Sequence, residues 1–345
     1  MPRRKSRVLV SGGCGFLGSA LVRELVAQGC EVIVLDKLTY AGRPENLEGV
    51  NDCELIEGDI ADAGEILDSS FNAVFHLAAE SHVDRSIESA DEFLQTNILG
   101  THAMLEACRQ AWEGKKIPPK RRFIYVSTDE VYGPIAEPAL ATEESTFRPS
   151  SPYAASKAAA DCLAHSYYKT HGMDVVIARL SNCYGPRQFP EKLIPLAISR
   201  LDSGDRVPIY GRGDNQRQWL WVVDAAKALM ACWYNGMSGR AYNFGGDLES
   251  IYRNEAVIYH LCEAMEKRFE ESILYVPDRK GHDSRYALSS ALAFFELHWR
   301  PKMSLKRGLE QTVIWYRRNP EWVERCLNDP KTRQYMTRRY GRASE

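Results

Sequence analysis

Three stretches of the chain hold side chains that can move protons and electrons. Thr128, Asp129 and Glu130 follow the apolar run RFIYVS at 122–127, Tyr153 and Lys157 come just after Pro152, and Gly12, Gly15 and Gly18 follow RVLV at 7–10. A tyrosine and a lysine spaced i, i+4 on a helix share one face. An ammonium close to a phenol lowers the phenol pKa. The phenolate can then take the proton of a hydroxyl whose carbon is losing hydride. Thr128, at the end of a strand, can donate a hydrogen bond to the same oxygen. Asp129 and Glu130 are two carboxylates at the C-terminal end of a central strand, the usual place for chemistry in an open α/β sheet. One can act as acid and the other as base if their surroundings separate their pKa values. Redox and acid–base groups in one chain argue for an enzyme that does more than oxidise an alcohol.

The glycines spell G-x-x-G-x-x-G between a strand and a helix. The first permits a tight turn, the next lets the backbone approach a pyrophosphate, and the third lets the helix pack on the sheet, whose N-terminus favours phosphate charge. Asp36 ends the next apolar run, 18 residues after Gly18, where a carboxylate binds ribose hydroxyls. This reads as a dinucleotide site that prefers NAD to NADP, because a carboxylate repels a 2′-phosphate. Lys37 offsets part of that repulsion. Asp59 and Ile60 end a further strand beside the expected adenine position.

The elements that must position these groups follow from periodicity. Strands are expected at 7–10, 31–36, 52–59, 73–79, 122–128 and 173–180, with helices at 16–29, 88–112 and 153–170. Continuous apolar strands alternating with helices imply α/β architecture: a Rossmann-like parallel sheet with helices on both faces. Past residue 185 the rhythm breaks into Pro- and Gly-rich loops, and helical patterns return at 224–235, 252–268 and 304–318. The expected division is an NAD-binding domain at 1–185 carrying the catalytic residues, and a smaller mixed α/β substrate lobe at 186–330. Some segments of that lobe return to the first domain. The basic tail 331–345 reads as a solvated end, as does the basic start PRRKSR.

Bulk composition narrows the class. A formal charge of −2 offers nothing to nucleic acid or to a membrane surface, and no apolar run approaches bilayer length. There is no signal-peptide pattern, and the nine cysteines form no C-x-x-C pair, so free thiols in a reducing, cytoplasmic compartment are expected. The eight histidines show no metal-ligand spacing, and no metal is expected.

At this point the chain resembles the nucleotide-sugar branch of the extended short-chain dehydrogenase/reductases, and within it the dTDP-glucose 4,6-dehydratase family. The resemblance runs through SGGCGFLGS (11–19), DKLTYAG (36–42), AAESHVDRSI (78–87), STDEVYG (127–133), PYAASKAAAD (152–161), RLSNCYGPRQFPEKLIP (179–195), YGRGDNQRQWLWV (210–222), YNFGG (242–246) and DRKGHDSRYAL (278–288), in order and over nearly the whole chain. It implies that Thr128, Tyr153 and Lys157 carry out oxidation at sugar C4, that Glu130 removes the C5 proton, and that Asp129 protonates the departing C6 hydroxyl. Ser127 and Ala78 match positions on the nicotinamide side. The resemblance also implies cofactor contacts from Phe16, Leu17, Thr39, Leu77, Ala79, Ser81 and Asn97. Around a nucleoside-diphosphate sugar it implies Ser81, His82, Asn182, Glu191, Lys192, Leu193, Pro208, Tyr210, Arg217, Asn243, Arg279 and His282. Arg217 and Arg279 suit a diphosphate, since guanidinium forks match phosphate oxygens. Members of the family pair the 88–112 and 153–170 helices across a homodimer.

The chain departs from the family pattern at Cys14, Cys183, Gln218, Val223, Ala225 and Lys280, and over GDLESIYRNEAV at 246–257. None of these is a proposed catalytic group; they bear on substrate identity more than on reaction type. The rivals are a nucleotide-sugar 4-epimerase, which does not need both carboxylates, and a UDP-glucuronate decarboxylase, in which Ser commonly stands at the position of Asp129. A non-catalytic NAD-binding sensor or scaffold is the alternative of a different class. It has no need to keep all five groups.

Overall fold

The structure is a computed structural model that describes residues 5–114 and 121–340 of the 345-residue chain. The first residues of the basic start and the last five of the tail lie outside the described residues.

The first half alternates as its apolar runs demand. β1 (Arg7–Ser11), α1 (Phe16–Ala27), β2 (Glu31–Asp36), β3 (Cys53–Glu57) and β4 (Ala73–His76) come first. Next are α2 (Val83–Glu88), α3 (Asp91–Phe93) and α4 (Thr101–Trp112), the last two joined by a π-helical segment at Leu94–Gly100. β5 (Arg122–Thr128), α5 (Pro152–His171) and β6 (Val175–Leu180) follow. The second half contributes β7 (Asn182–Tyr184), α6 (Leu193–Ser203), β8 (Val207–Tyr210), β9 (Gln216–Trp221), α7 (Val222–Asn235) and β10 (Ala241–Phe244). β11 (Ile251–Arg253), α8 (Asn254–Ala264), α9 (Phe269–Ser272) and β12 (Ile273–Val276) continue it. The chain closes with α10 (Ala291–Leu297), α11 (Leu305–Arg318), α12 (Pro320–Asn328) and α13 (Pro330–Tyr340).

Seven parallel strands form the main sheet in the order β10-β6-β5-β4-β1-β2-β3. The order reverses between β1 and β4, and the crevice beyond their C-terminal ends is where such sheets bind ligands. Buried side chains of α1 and α7 cover one face, and those of α4 and α5 cover the other. α7 and β10 belong to the second half of the sequence yet complete this sheet. A separate core of α6, β8, β9, α8, α11 and α12 residues underlies the remaining lobe.

Several boundaries differ from the expected ones for local reasons. β3 stops at Glu57, and Asp59 accepts the backbone N–H of Ala61 at 3.0 Å to cap the turn beyond it. β4 stops at His76, so Leu77–Ala79 run on as irregular backbone. The poorly matching stretch at 246–257 adds β11, antiparallel to β9, with Ile251 opposite Gln218. The tail is the largest correction. Its described residues form α13, with Thr332 and Tyr335 buried, because a tyrosine ring there finds aromatic and guanidinium partners on α2 and the segment before it.

α5 carries Tyr153 and Lys157, and its orientation is fixed at its N-terminus and at its middle. Ser151 caps it by accepting the Ala154 N–H at 3.1 Å. Asp161 takes two hydrogen bonds from the Arg179 guanidinium of β6, at 2.8 and 2.9 Å, where both side chains are buried. Removing one partner of such a pair leaves the other charge uncompensated. Asp161→Asn should therefore destabilise the protein by about 3 kcal/mol, read as a lower urea midpoint at unchanged slope. An unchanged midpoint would show that the pair does not anchor α5.

Candidate active site

At the crevice between β1 and β4 the glycines have steric reasons. Gly12 has φ +73, and a Cβ on it would stand 2.7 Å from the Ala78 backbone nitrogen; one on Gly18 would meet the Gly12 carbonyl at 2.1 Å. α1 has no side-chain cap at Gly15, so its first backbone N–H groups face the cavity lined by Gly12, Gly15, Phe16, Leu17 and Gly18. Asp36 accepts the N–H groups of Cys14 and Leu38, both at 2.9 Å, and burial pushes its carboxyl pKa up. Lys37 is held by Asp59 at 2.6 Å, which draws its charge away from a 2′-phosphate. Thr39, Asp59 and Ile60 line the same cavity. So do Leu77, Ala78, Ala79 and Ser81, which follow β4.

The cavity continues past the end of β5 along Ser127, Thr128, Asp129, Glu130, Tyr153 and Lys157. Thr128 caps the short turn Asp129–Tyr132, accepting the Glu130 N–H at 3.3 Å, and both carboxyls of this turn line the cavity. Thr128 donates to Asp129 Oδ1 at 3.2 Å, whereas Oδ2 is buried with no hydrogen-bond partner among the described residues. Burial, reinforced by the neighbouring Glu130 charge, raises Asp129 to about 8. Burial also raises Glu130, but Arg279, Arg217 and Lys192 pull it back. Burial thus favours the protonated form of Asp129, beside a Glu130 whose raised pKa is partly offset by its cationic neighbours.

The tyrosine departs from the expectation. The Lys157 ammonium donates to the Val126 carbonyl at 2.7 Å and lies 4.4 Å from the centroid of the Tyr125 ring. Desolvation lowers Lys157 to about 7, and burial plus the Glu130 charge raise Tyr153 above its ordinary value. Side chains alone do not make a phenolate here.

A second cavity opens from the first and shares Ser81, Glu130, Asn182, Glu191 and Lys192 with it. His82, Leu193, Pro208, Tyr210, Arg217, Arg279 and His282 line it. Arg279 donates to Asp84 at 2.8 Å, and Tyr210 reaches the other Asp84 oxygen at 3.1 Å. Arg217 donates to the Gln216 and Asp283 carbonyls and lies over the Tyr286 ring at 4.3 Å. His282 meets Asp278 at 2.6 Å, but burial and the arginine charges lower it to about 4, so it is neutral near pH 7. A buried guanidinium, Arg217, a half-buried one, Arg279, and a neutral imidazole suit a diphosphate next to neutral hydroxyls.

Two expected site residues do not line either cavity. Asn97 is buried in the π-helical segment, where its side chain bonds both the N–H and the C=O of Glu80, and Ser156. It shapes the wall from behind. Asn243 is fully buried on β10, bonded to the Tyr132 hydroxyl and the Ala141 carbonyl. Conversely, Glu80, Asp84, Cys183, Asn254 and Tyr286 line cavity walls without having been singled out as site residues. Asp84 and Tyr286 sit inside the stretches AAESHVDRSI and DRKGHDSRYAL that carry the family resemblance, and their polar side chains are the available signal. Cys183 stands near Asp129, and burial pushes its thiol up to about 12. Gln218 instead ties β9 to the Gly246 carbonyl at 2.7 Å and the Leu288 N–H at 2.8 Å. Among the described residues no His/Cys/Asp/Glu group could hold a metal, and no helix is long and apolar enough to cross a membrane.

Comparison with known proteins agrees with this geometry. Residues 9–312 match the family described as GDP-mannose 4,6 dehydratase. A dTDP-glucose 4,6-dehydratase of Escherichia coli is 43% identical over 343 residues, spanning 92% of this chain and 94% of that protein. A dTDP-glucose 4,6-dehydratase of Streptomyces venezuelae, solved with NAD bound, superposes with a TM-score of 0.87 at 43% identity, covering 93% of this chain and 99% of that one. The enzyme of the same name from Bacillus anthracis, in complex with NAD, gives a TM-score of 0.83 at 35% identity, with 93% and 99% coverage. With its main sheet, glycine turn and carboxylate pair in place, the chain belongs to the dTDP-glucose 4,6-dehydratase family.

Proposed function

We propose that this protein catalyses the NAD-dependent dehydration of dTDP-glucose to dTDP-4-keto-6-deoxyglucose. The observation that carries the reading is the placement of Glu130 where the two cavities meet, next to an Asp129 that burial keeps protonated. An epimerase has no use for such a pair, because it moves one hydride and removes no hydroxyl.

The cleft fits NAD by its open helix N-terminus, its glycine contacts and the Asp36 carboxylate. Bound there, NAD supplies the acceptor for the C4 hydride and returns that hydride to C6. Arg217 and Arg279 hold the diphosphate, and Lys192 flanks the junction. Tyr153, hydrogen-bonded to Thr128, takes the C4 hydroxyl proton. Its raised pKa falls once positive charge enters the cleft. The 4-keto group then acidifies C5–H, Glu130 removes that proton, and Asp129 gives its proton to the leaving C6 hydroxyl. Glu130, protonated by the C5 abstraction and open to exchange with solvent, returns a proton to C5 at the end. The rise of Asp129 to about 8 gives the sign of the pH effect: the useful form is protonated, so activity is present below about 8 and lost above it.

The exposed apolar residues Ile87, Leu94 and Leu99 are 40%, 45% and 55% accessible on the α2–α4 face. They support a homodimer built on that face. Light scattering should give twice the 39.1 kDa chain mass and a monomer for Leu99→Glu; a monomeric wild type would refute the assembly.

Mass spectrometry of the dTDP-glucose product formed in deuterated water should show loss of one water and one solvent deuteron retained at C5. A product of unchanged mass would reassign the chain to epimerase chemistry. Asp129→Asn should lower kcat by roughly 10²- to 10⁴-fold while reduced nicotinamide accumulates, and should abolish the alkaline limb near 8 that the wild type shows. A variant with normal kcat, or a wild type flat across that range, would remove Asp129 from the acid role.

A further inference from the structure

Arg85 stands at the back of the substrate cavity wall and is gripped on two sides. Its guanidinium lies 4.2 Å from the centroid of the Tyr40 ring and 4.4 Å from that of Tyr335. Tyr40 belongs to the loop after β2 that borders the cofactor cavity, and Tyr335 belongs to α13. The same guanidinium donates to Glu191 Oε2 at 3.1 and 3.3 Å, and the Tyr40 hydroxyl donates to Glu191 Oε1 at 2.7 Å. Glu191 is almost wholly buried and is shared by both cavities. Its neighbour Lys192 reaches back to the Ser81 carbonyl at 2.9 Å. The Tyr335 ring also meets His82, a wall residue of the substrate cavity, edge-on at 5.3 Å. α13 is held against the body by the Arg338–Glu88 ion pair and by Thr332, which is fully buried.

We propose that the C-terminal helix is part of the working site, with Tyr335 a positioning residue that, through Arg85 and His82, holds the Glu191–Lys192 corner where cofactor and sugar nucleotide meet. A cation between two aromatic faces and bonded to a buried carboxylate is confined in all directions. Removing one ring frees the guanidinium to swing from Glu191. The corner then loosens toward both cavities at once, so weaker substrate binding and faster cofactor loss should appear together. The chemistry at C4, C5 and C6 uses none of these groups, so kcat should change little. The substrate part of this inference rests on the dehydratase reading; the cofactor part does not.

The test compares full-length wild type, Tyr335→Ala, Tyr335→Phe and Arg338→Ala. Tyr335→Ala should raise KM for dTDP-glucose about three- to thirtyfold with kcat within about twofold, and should release NAD faster on gel filtration. Tyr335→Phe keeps the ring and should match wild type, and Arg338→Ala, which removes a largely exposed ion pair and a distant contact at 6.0 Å from the Tyr335 ring centroid, should lie nearer to wild type than Tyr335→Ala. In an Arg85→Met background, Tyr335→Ala should add clearly less than it does in the wild type, because only the His82 contact is then left to lose. If Tyr335→Ala leaves KM and NAD release unchanged, or merely lowers the melting temperature, the proposal fails. It also fails if Tyr335→Phe is as impaired as Tyr335→Ala. A wild type inert toward dTDP-glucose would overturn the dehydratase reading, while NAD release from the same variants would still decide the role of α13.

Discussion

Desolvation of two adjacent carboxyl groups is the constraint on which the site depends. Removing a carboxylate from water without full hydrogen bonding raises its pKa. Asp129 is pushed up to about 8, with one oxygen bonded by the Thr128 hydroxyl and the other by no described residue. Glu130 sits one residue on, at the cavity junction facing Arg217 and Arg279, which relieve its charge. The asymmetry gives two chemically similar side chains different surroundings, as the proposed acid and base roles require. The capped turn after β5 holds both carboxyls at the cavity wall, where Arg217 acts on each of them but Arg279 and Lys192 act on Glu130.

Much of the remaining architecture serves that asymmetry. The parallel sheet brings the end of β5 beside the glycine turn, and the Arg179–Asp161 pair fixes α5 so that Tyr153 faces the same space. β9 and the segment before α10 deliver Arg217 and Arg279 from the other lobe. The Tyr40–Arg85–Tyr335 stack ties the cofactor loop, the segment around α2 and the last helix to Glu191. Redox and acid–base groups thereby share one desolvated volume, as a reaction that must oxidise before it can eliminate requires.

The parts legible in the sequence are those where backbone geometry dictates residue type. Gly12 and Gly18 are glycines because any Cβ would strike backbone atoms, so their spacing could be read directly. Asp36 ends a strand that periodicity alone locates. The carboxylate pair was legible as a pair, because both residues follow a strand. Other features depend on contacts that no spacing encodes. Asn97 and Asn243 lie at positions that resemblance marks, but their amides turn inward to Glu80 and Tyr132. Tyr153 was expected to be acidified by Lys157, yet the ammonium is spent on the Val126 carbonyl and burial dominates. The tail reads as polar and basic, with no amphipathic pattern to announce the inward-turned Thr332 and Tyr335.

The most direct test of the central claim is the protonation state of one carboxyl group. Carbon-13 NMR of protein labelled at the aspartate side-chain carboxyl, with Asp129→Asn to assign the resonance, reads it without turnover. The account predicts a neutral Asp129 at pH 7 that titrates near 8. An Asp129 resonance that titrates in the ordinary carboxylate range near 4, and is ionised at neutral pH, would contradict it.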